Sequence, residues 1–140
     1  MILRRPPIRP AVAADSPRVQ ELVQVNDLWV DGLDWSELQG WFVAEHKGQV
    51  VGAIQMLLGK PLGVMLYLVV DPLYHNTGIG YALAKFSEWV LCMNNSDGYV
   101  GFTDRDEFRA IATKYKATQI GDFTTFIKRI RQGTENENLQ

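Results

Sequence analysis

The stretch Val70-Asp71-Pro72-Leu73-Tyr74-His75-Asn76-Thr77-Gly78-Ile79-Gly80 separates two segments with different apolar periods. The apolar run from Val64 to Val70 precedes it and predicts a buried strand. A helical pattern follows it and continues to about Met93. A strand, a glycine-bearing turn and a helix in this order favour anion binding, because the first amides of a helix have no partner within it. We therefore predict a phosphate-binding junction.

Two common phosphate-binding loops do not fit the spacing of the glycines. A Walker loop requires Lys after its last glycine, whereas Tyr81 follows Gly80. A dinucleotide-binding loop requires a small residue three positions after its second glycine, and Leu83 occupies that position. The pattern that remains is Arg/Gln-x-x-Gly-x-Gly/Ala after a strand ending in Val-x-Pro.

In this chain the pattern is Val70-Asp71-Pro72 followed by His75-Asn76-Thr77-Gly78-Ile79-Gly80, with His where Arg or Gln is usual. It resembles the acetyl-coenzyme A (acetyl-CoA) loop of the GNAT N-acetyltransferases. The resemblance implies that these six residues wrap the pyrophosphate of acetyl-CoA, mainly through backbone N–H groups. It also implies that the pantetheine amides pair with the backbone of the preceding strand, at Leu68, Val69 and Val70.

The element order predicted from the whole chain is β-α-α-β-β-β-α-β-α-β. It includes a helix beginning near Ser16, a short helix over Ser36 to Gln39 and a last strand over Phe123 to Ile130. This order predicts an α/β (α+β) fold, a mixed sheet with helices on both faces, which is also the order of the GNAT fold. We expect one domain over residues 1–130 and a disordered tail over residues 131–140.

Composition excludes several classes of protein. The 140 residues carry a net charge of −2, which gives no general attraction to nucleic acid or to an anionic membrane. One cysteine and two distant histidines make a metal site improbable, and we predict none. No segment reaches membrane-spanning length and the N-terminus does not resemble a signal peptide, so we expect a cytoplasmic protein.

The resemblance also implies a catalytic residue. Many GNAT enzymes carry Tyr-Glu-Lys-x-Gly-Phe at the end of the last helix, where the tyrosine protonates the departing thiolate. Here Tyr115-Lys116-Ala117-Thr118-Gln119-Ile120 keeps the tyrosine and lacks the Gly-Phe. Tyr115 is therefore the predicted general acid, and a core tyrosine with its hydroxyl at the surface is the alternative. No general base is identified.

The acceptor side is predicted from the segment Asn26 to Trp35, which borders the acceptor cleft in this family. Its alternation of Trp29, Asp31 and Asp34 suits a cationic amine, although an acidic surface loop anchored by tryptophans is the alternative. The predicted function is N-acetyltransfer from acetyl-CoA to a primary amine, directly in a ternary complex. A catalytically inactive GNAT-like module that binds CoA or a protein is the alternative. The acceptor and the oligomeric state, including a homodimer, are left open.

Overall fold

The computed structural model describes residues 3, 6–28, 35–36, 38–102, 118–120 and 125–129, of which 102, 118–120 and 125–129 are described by their backbone only. The chain divides into two compact units, Met1–Met56 with Tyr67–Ser87 and Leu57–Leu66 with Glu88–Gln140. The elements, in chain order, are β1 (Ile8–Pro10), α1 (Ser16–Val25), β2 (Trp41–His46), β3 (Gln49–Leu57), β4 (Leu62–Val70), α2 (Ile79–Met93), β5 (Gly98–Phe102), β6 (Thr118–Ile120) and β7 (Thr125–Arg129).

In the first unit the strands follow the order β1-β2-β3-β4, and the first three are joined by antiparallel ladders. Helix α1 covers one face of this part of the sheet. Its apolar side chains at Val19, Leu22 and Val23 are fully buried, in one cluster with Val43 of β2 and Ala53 of β3. The spacing of three and four residues in α1 produces this buried stripe.

The first part of α2 covers the opposite face of the same strands. Phe42, next to Val43 on β2, packs its ring against Phe86 of α2 with 5.2 Å between centroids. A Cβ at Gly52 would lie 2.8 Å from Ile79 Cγ2 and 3.0 Å from Leu83 Cδ1, so only glycine allows the helix to approach this closely. The predicted mixed sheet with helices on both faces is therefore confirmed in this unit.

In the second unit the order is β4-β5-β7-β6. Strands β4 and β5 are parallel, and their ladder runs from Leu62↔Gly98 to Met65↔Gly101, whereas β4 itself continues to Val70. Strand β7 pairs antiparallel with both β5 and β6. The sheet is thus mixed, as predicted.

The sequence predictions differ from the structure at two elements. The short helix over Ser36 to Gln39 is wrong at its described positions, because Gly40 takes a φ of +78° in a tight turn that leads directly into β2. Strand β6 was not predicted. The expected tail over residues 131–140 and the expected helix after β5 lie outside the described residues. Among the described residues, no helix is long and apolar enough to cross a membrane.

Candidate active site

The loop from Asp71 to Gly78 joins the end of β4 to the start of α2. Asp71 caps a short 3-10 turn over Pro72–Tyr74, since its Oδ1 accepts the Leu73 N–H at 2.9 Å. The backbone then takes positive φ at Asn76 (64°) and at Gly78 (91°). Asn tolerates this left-handed region better than most residues, and glycine has no Cβ to clash there.

The amides of this loop are available to a ligand. The first helical hydrogen bond of α2 is donated by Ala82 N–H to Gly78 C=O at 2.9 Å. Within the described part of the chain, the N–H groups of Asn76, Gly78, Ile79 and Gly80 have no acceptor. Because the peptide dipoles of the 15-residue helix add to these amides, the arrangement suits an anion.

Neighbouring groups support the loop on its other side. Leu3 N–H donates to Thr77 C=O at 2.7 Å, and the buried Thr77 hydroxyl donates to Tyr74 C=O. The Tyr74 ring meets His46 edge to face, with 5.4 Å between centroids. These contacts hold the loop backbone at Tyr74 and Thr77 through carbonyl groups and leave the amides described above available.

Arg18 of α1 connects the start of this loop to the sheet. Its Nη2 donates to Asp71 Oδ2 at 2.6 Å, and its Nε donates to Val50 C=O at 2.9 Å. Burial alone would raise the pKa of Asp71, but the Leu73 N–H and the Arg18 guanidinium outweigh it and lower that pKa below its ordinary value. The carboxylate is consequently paired and does not repel an anion at the loop. Sequence reasoning missed Arg18, because no local pattern connects positions 53 residues apart.

The backbone N–H and C=O groups of Leu68, Val69 and Val70, which were predicted to pair with pantetheine, do not all point to the same side of β4. Asp71 N–H donates to Val51 C=O of β3 at 2.8 Å. Since successive residues of a strand direct their backbone groups to opposite sides, Val69 also faces β3, while Leu68 and Val70 face away from it. Val70 C=O already contacts Asn26 Nδ2 at 3.1 Å and His75 Nε2 at 3.2 Å. Of the three, Leu68 therefore presents the backbone groups best suited to strand addition.

The remaining predicted site residues lie outside the described residues: Tyr115, Trp29, Asp31 and Asp34. Trp35, at the end of the predicted acceptor segment, is described and half-buried. It packs on Trp41 with 6.0 Å between ring centroids, and Trp41 stacks on Tyr67 of β4 at 5.5 Å. This row of three rings places Trp35 on the α1 face of the sheet.

The chain was compared with protein-family models, with curated proteins and with solved structures. A family model described as "Acetyltransferase (GNAT) domain" matches residues 37–117. Among curated proteins, none matches the sequence.

Solved structures with the same architecture include Rv2747 from Mycobacterium tuberculosis in complex with CoA, at 26% identity and a TM-score of 0.70, over 83% of this chain and 74% of that chain. Ard1 from Thermoplasma volcanium is 18% identical with a TM-score of 0.76, over 90% of this chain and 98% of that chain. The ribosomal-protein-S18-alanine N-acetyltransferase from Escherichia coli is 16% identical with a TM-score of 0.73, over 93% and 97%. These structures confirm the predicted fold class.

Proposed function

Because the chain belongs to the GNAT acetyltransferase family, we propose that it transfers the acetyl group of acetyl-CoA to a primary amine, directly in a ternary complex. The observation that carries the proposal is the row of available amides at the β4–α2 junction. Their backbone hydrogen bonds and the helix dipole suit the diphosphate of CoA. Rv2747, the relative with the highest identity among those described above, was solved with CoA.

The loop residues fit this cosubstrate in charge and shape. Asp71 is neutralised by Arg18, so the loop presents no unpaired carboxylate to the diphosphate. His75 and Asn76 are exposed, so their side chains can reach phosphate oxygens. The available amides of Asn76, Gly78, Ile79 and Gly80 carry most of the binding. On β4, Leu68 with its neighbours Val69 and Val70 accepts the pantetheine arm by strand addition.

Acetyl transfer requires bond changes at the amine nitrogen, the acetyl carbon and the sulfur of CoA. The cationic amine first loses a proton to water, and its lone pair then bonds to the acetyl carbon. The carbon–sulfur bond breaks, the nitrogen loses a second proton to water, and the thiolate takes a proton. Tyr115 is the residue proposed to donate the proton to sulfur. Trp29, Asp31 and Asp34 are proposed to attract and stack a cationic acceptor. The name of the Escherichia coli relative states an alanine acceptor, which is a precedent for an amine in this fold.

One observation favours the alternative, a module that binds CoA without catalysis. The His75 ring lies against Val70 C=O, on the strand edge that a pantetheine arm uses, and the loop lacks the usual Arg or Gln. A module that binds CoA without catalysis needs the diphosphate site, but it does not need the pantetheine arm to be ordered on β4.

The two functions are separated by one pair of measurements. Acetyl-CoA is expected to raise the melting temperature of the protein in both cases. Thiol release with spermidine, a lysine-containing peptide and a peptide with a free N-terminus is expected only from the enzyme. In the enzyme, Tyr115→Phe keeps the packing and removes the proton, so kcat should fall by about 10²-fold. Thermal stabilisation without thiol release from any amine would leave the binding module as the function.

A further inference from the structure

Gln55 of β3 lies beneath a pair of aromatic rings. It is directly opposite Trp41 in the β2–β3 ladder. The Trp41 ring stacks on Tyr67 of β4, and β3 lies between those two strands. The rings therefore meet over the face of β3 on which Gln55 stands, with Trp35 extending the row beyond Trp41.

The carbonyl oxygen of Gln55 is buried in this position and accepts no hydrogen bond in the described part of the chain. The surrounding face is apolar, with Val43 on β2 and Ala53 on β3 both fully buried. A buried acceptor without a donor loses its hydration and gains nothing in return, so Met or Leu would serve the fold better here. Such a group calls for a partner that the described residues do not supply, which is a water or a ligand.

We infer that Gln55 Oε1 accepts a hydrogen bond from the acceptor amine, which binds beside the rings of Trp41 and Tyr67 on this face of β3. This inference rests on the proposed function and deepens it by naming a contact for the acceptor. A carboxamide oxygen accepts hydrogen bonds and stays unprotonated near neutral pH, so it can accept an N–H from the amine in its neutral and in its cationic form. Aromatic faces favour the same group in its cationic form during capture.

The contact also suits the chemistry of transfer. An ammonium that donates one N–H to Gln55 can lose another of its protons to water, and the lone pair that this frees bonds to the acetyl carbon. The carbon–sulfur bond then breaks and the thiolate leaves, as in the proposed reaction. Burial raises the pKa of the Tyr67 hydroxyl, so Tyr67 stays neutral and serves as a wall rather than as a base. An acceptor without any hydrogen-bond donor, such as a quaternary ammonium compound, gains nothing from this oxygen.

The test variant, Gln55→Met, removes the side-chain carbonyl oxygen and keeps a side chain of similar length. Gln55→Met should lower kcat/KM for the best amine of the panel by on the order of 10- to 100-fold, the value of one hydrogen bond to a charged group. Its affinity for acetyl-CoA should be unchanged. Its melting temperature should rise by roughly 3 °C, because the unsatisfied oxygen is gone. Gln55→Glu retains an acceptor and should retain transfer to charged amines, and Gln24→Met, an exposed change on α1, is the control.

The outcomes separate this inference from the proposed function. If Gln55→Met loses stability and transfers acetyl groups as the wild type does, the carbonyl is structural and the inference is overturned. If the wild type releases no thiol but spermidine or a peptide amine raises its melting temperature, and not that of Gln55→Met, the contact stands while the transferase assignment fails. Absence of any amine effect on the wild type, in either assay, overturns the inference as well.

Discussion

Side chains around the β4–α2 loop fix its backbone by contacts that lie far apart in sequence. Arg18 donates to Asp71, Asn26 to Val70 C=O, and Leu3 N–H to Thr77 C=O. All of these contacts leave the N–H groups of Gly78 and Ile79 available. The loop is consequently organised before a ligand binds, which reduces the entropy that binding must overcome.

Gly78 should be the most sensitive position of the loop. At a φ of 91° a Cβ costs about 1–2 kcal/mol, so Gly78→Ala should weaken acetyl-CoA binding roughly 5- to 30-fold. Gly80→Ala is the matched control, because its Cβ would meet only Val70 Cγ2 at an ordinary 3.6 Å. Calorimetric titration of both variants with acetyl-CoA checks this. Equal affinities would mean that the left-handed turn is not part of the site.

Asp71 should matter for both stability and binding. Asp71→Ala removes the cap of the 3-10 turn and leaves Arg18 without its carboxylate, at a cost of about 2–3 kcal/mol. Urea unfolding with and without acetyl-CoA measures both effects. Glu21→Ala is the control, since Glu21 also pairs with Arg18 but its side chain is 60% exposed, and it should change stability by less than about 0.5 kcal/mol. Similar losses in the two variants would show that the Asp71 contact is not specific to the loop.

The loop residues could be predicted because their signal is local. The spacing from Val70 to Gly80 combines a strand end, positive-φ positions and a helix start within eleven residues. Arg18 could not be predicted, because its role depends on partners that only the folded sheet brings near. The burial of Gln55 Oε1 likewise depends on rings from neighbouring strands. The same limit applies to the backbone direction of Val69, which depends on the register with β3.

At the level of secondary structure, the strongest periodic patterns predicted their elements best. Helix α2 runs from Ile79 to Met93, and its end agrees with the helical pattern that continues to about Met93. The short helix near Ser36 was wrong, because four residues carry too little periodicity to outweigh the turn at Gly40. The three residues of β6 give no alternation by which to recognise them.

The close packing of α2 on β3 should couple the helix start to the sheet. Gly52→Ala inserts a methyl group 2.8 Å from Ile79 Cγ2, which should cost about 1–3 kcal/mol and shift the first turn of α2. Acetyl-CoA affinity should therefore fall together with stability. Ile79→Ala makes room for the methyl group, so the double variant should be more stable than the sum of the single effects predicts. Strict additivity in urea unfolding would contradict this packing.

For the chain as a whole, paired carboxylates make the free energy of unfolding depend on pH. The Arg9 hydrogen bond is the main cause that lowers the pKa of Asp15 in the folded state, and the pKa of Asp71 is lowered as well. Both groups then bind fewer protons when folded than when unfolded, where an Asp titrates near about 3.9. Their contribution is fully present above that pH and is lost as the pH falls through the lower folded values.

The free energy of unfolding should therefore stay nearly level from about pH 7 to 5 and fall below about pH 4. Asp15→Asn should reduce stability at pH 7 and make the acid fall shallower. In an Arg9→Met background, the same change should have little further effect, because its main partner is absent. Urea unfolding between pH 3 and 7 measures this, and an acid profile unchanged by Asp15→Asn would refute it.

The central claim is that backbone amides at the β4–α2 junction bind a diphosphate, and calorimetry with two acetyl thioesters tests it most directly. Acetyl-CoA and acetyl-pantetheine share the reactive end, but only the first carries a diphosphate. We expect saturable binding of acetyl-CoA and at least about 10-fold weaker binding of acetyl-pantetheine, since charge-assisted hydrogen bonds to the diphosphate are lost. Gly78→Ala should weaken only the first. Equal affinities for the two compounds, or no heat with either, would contradict the account.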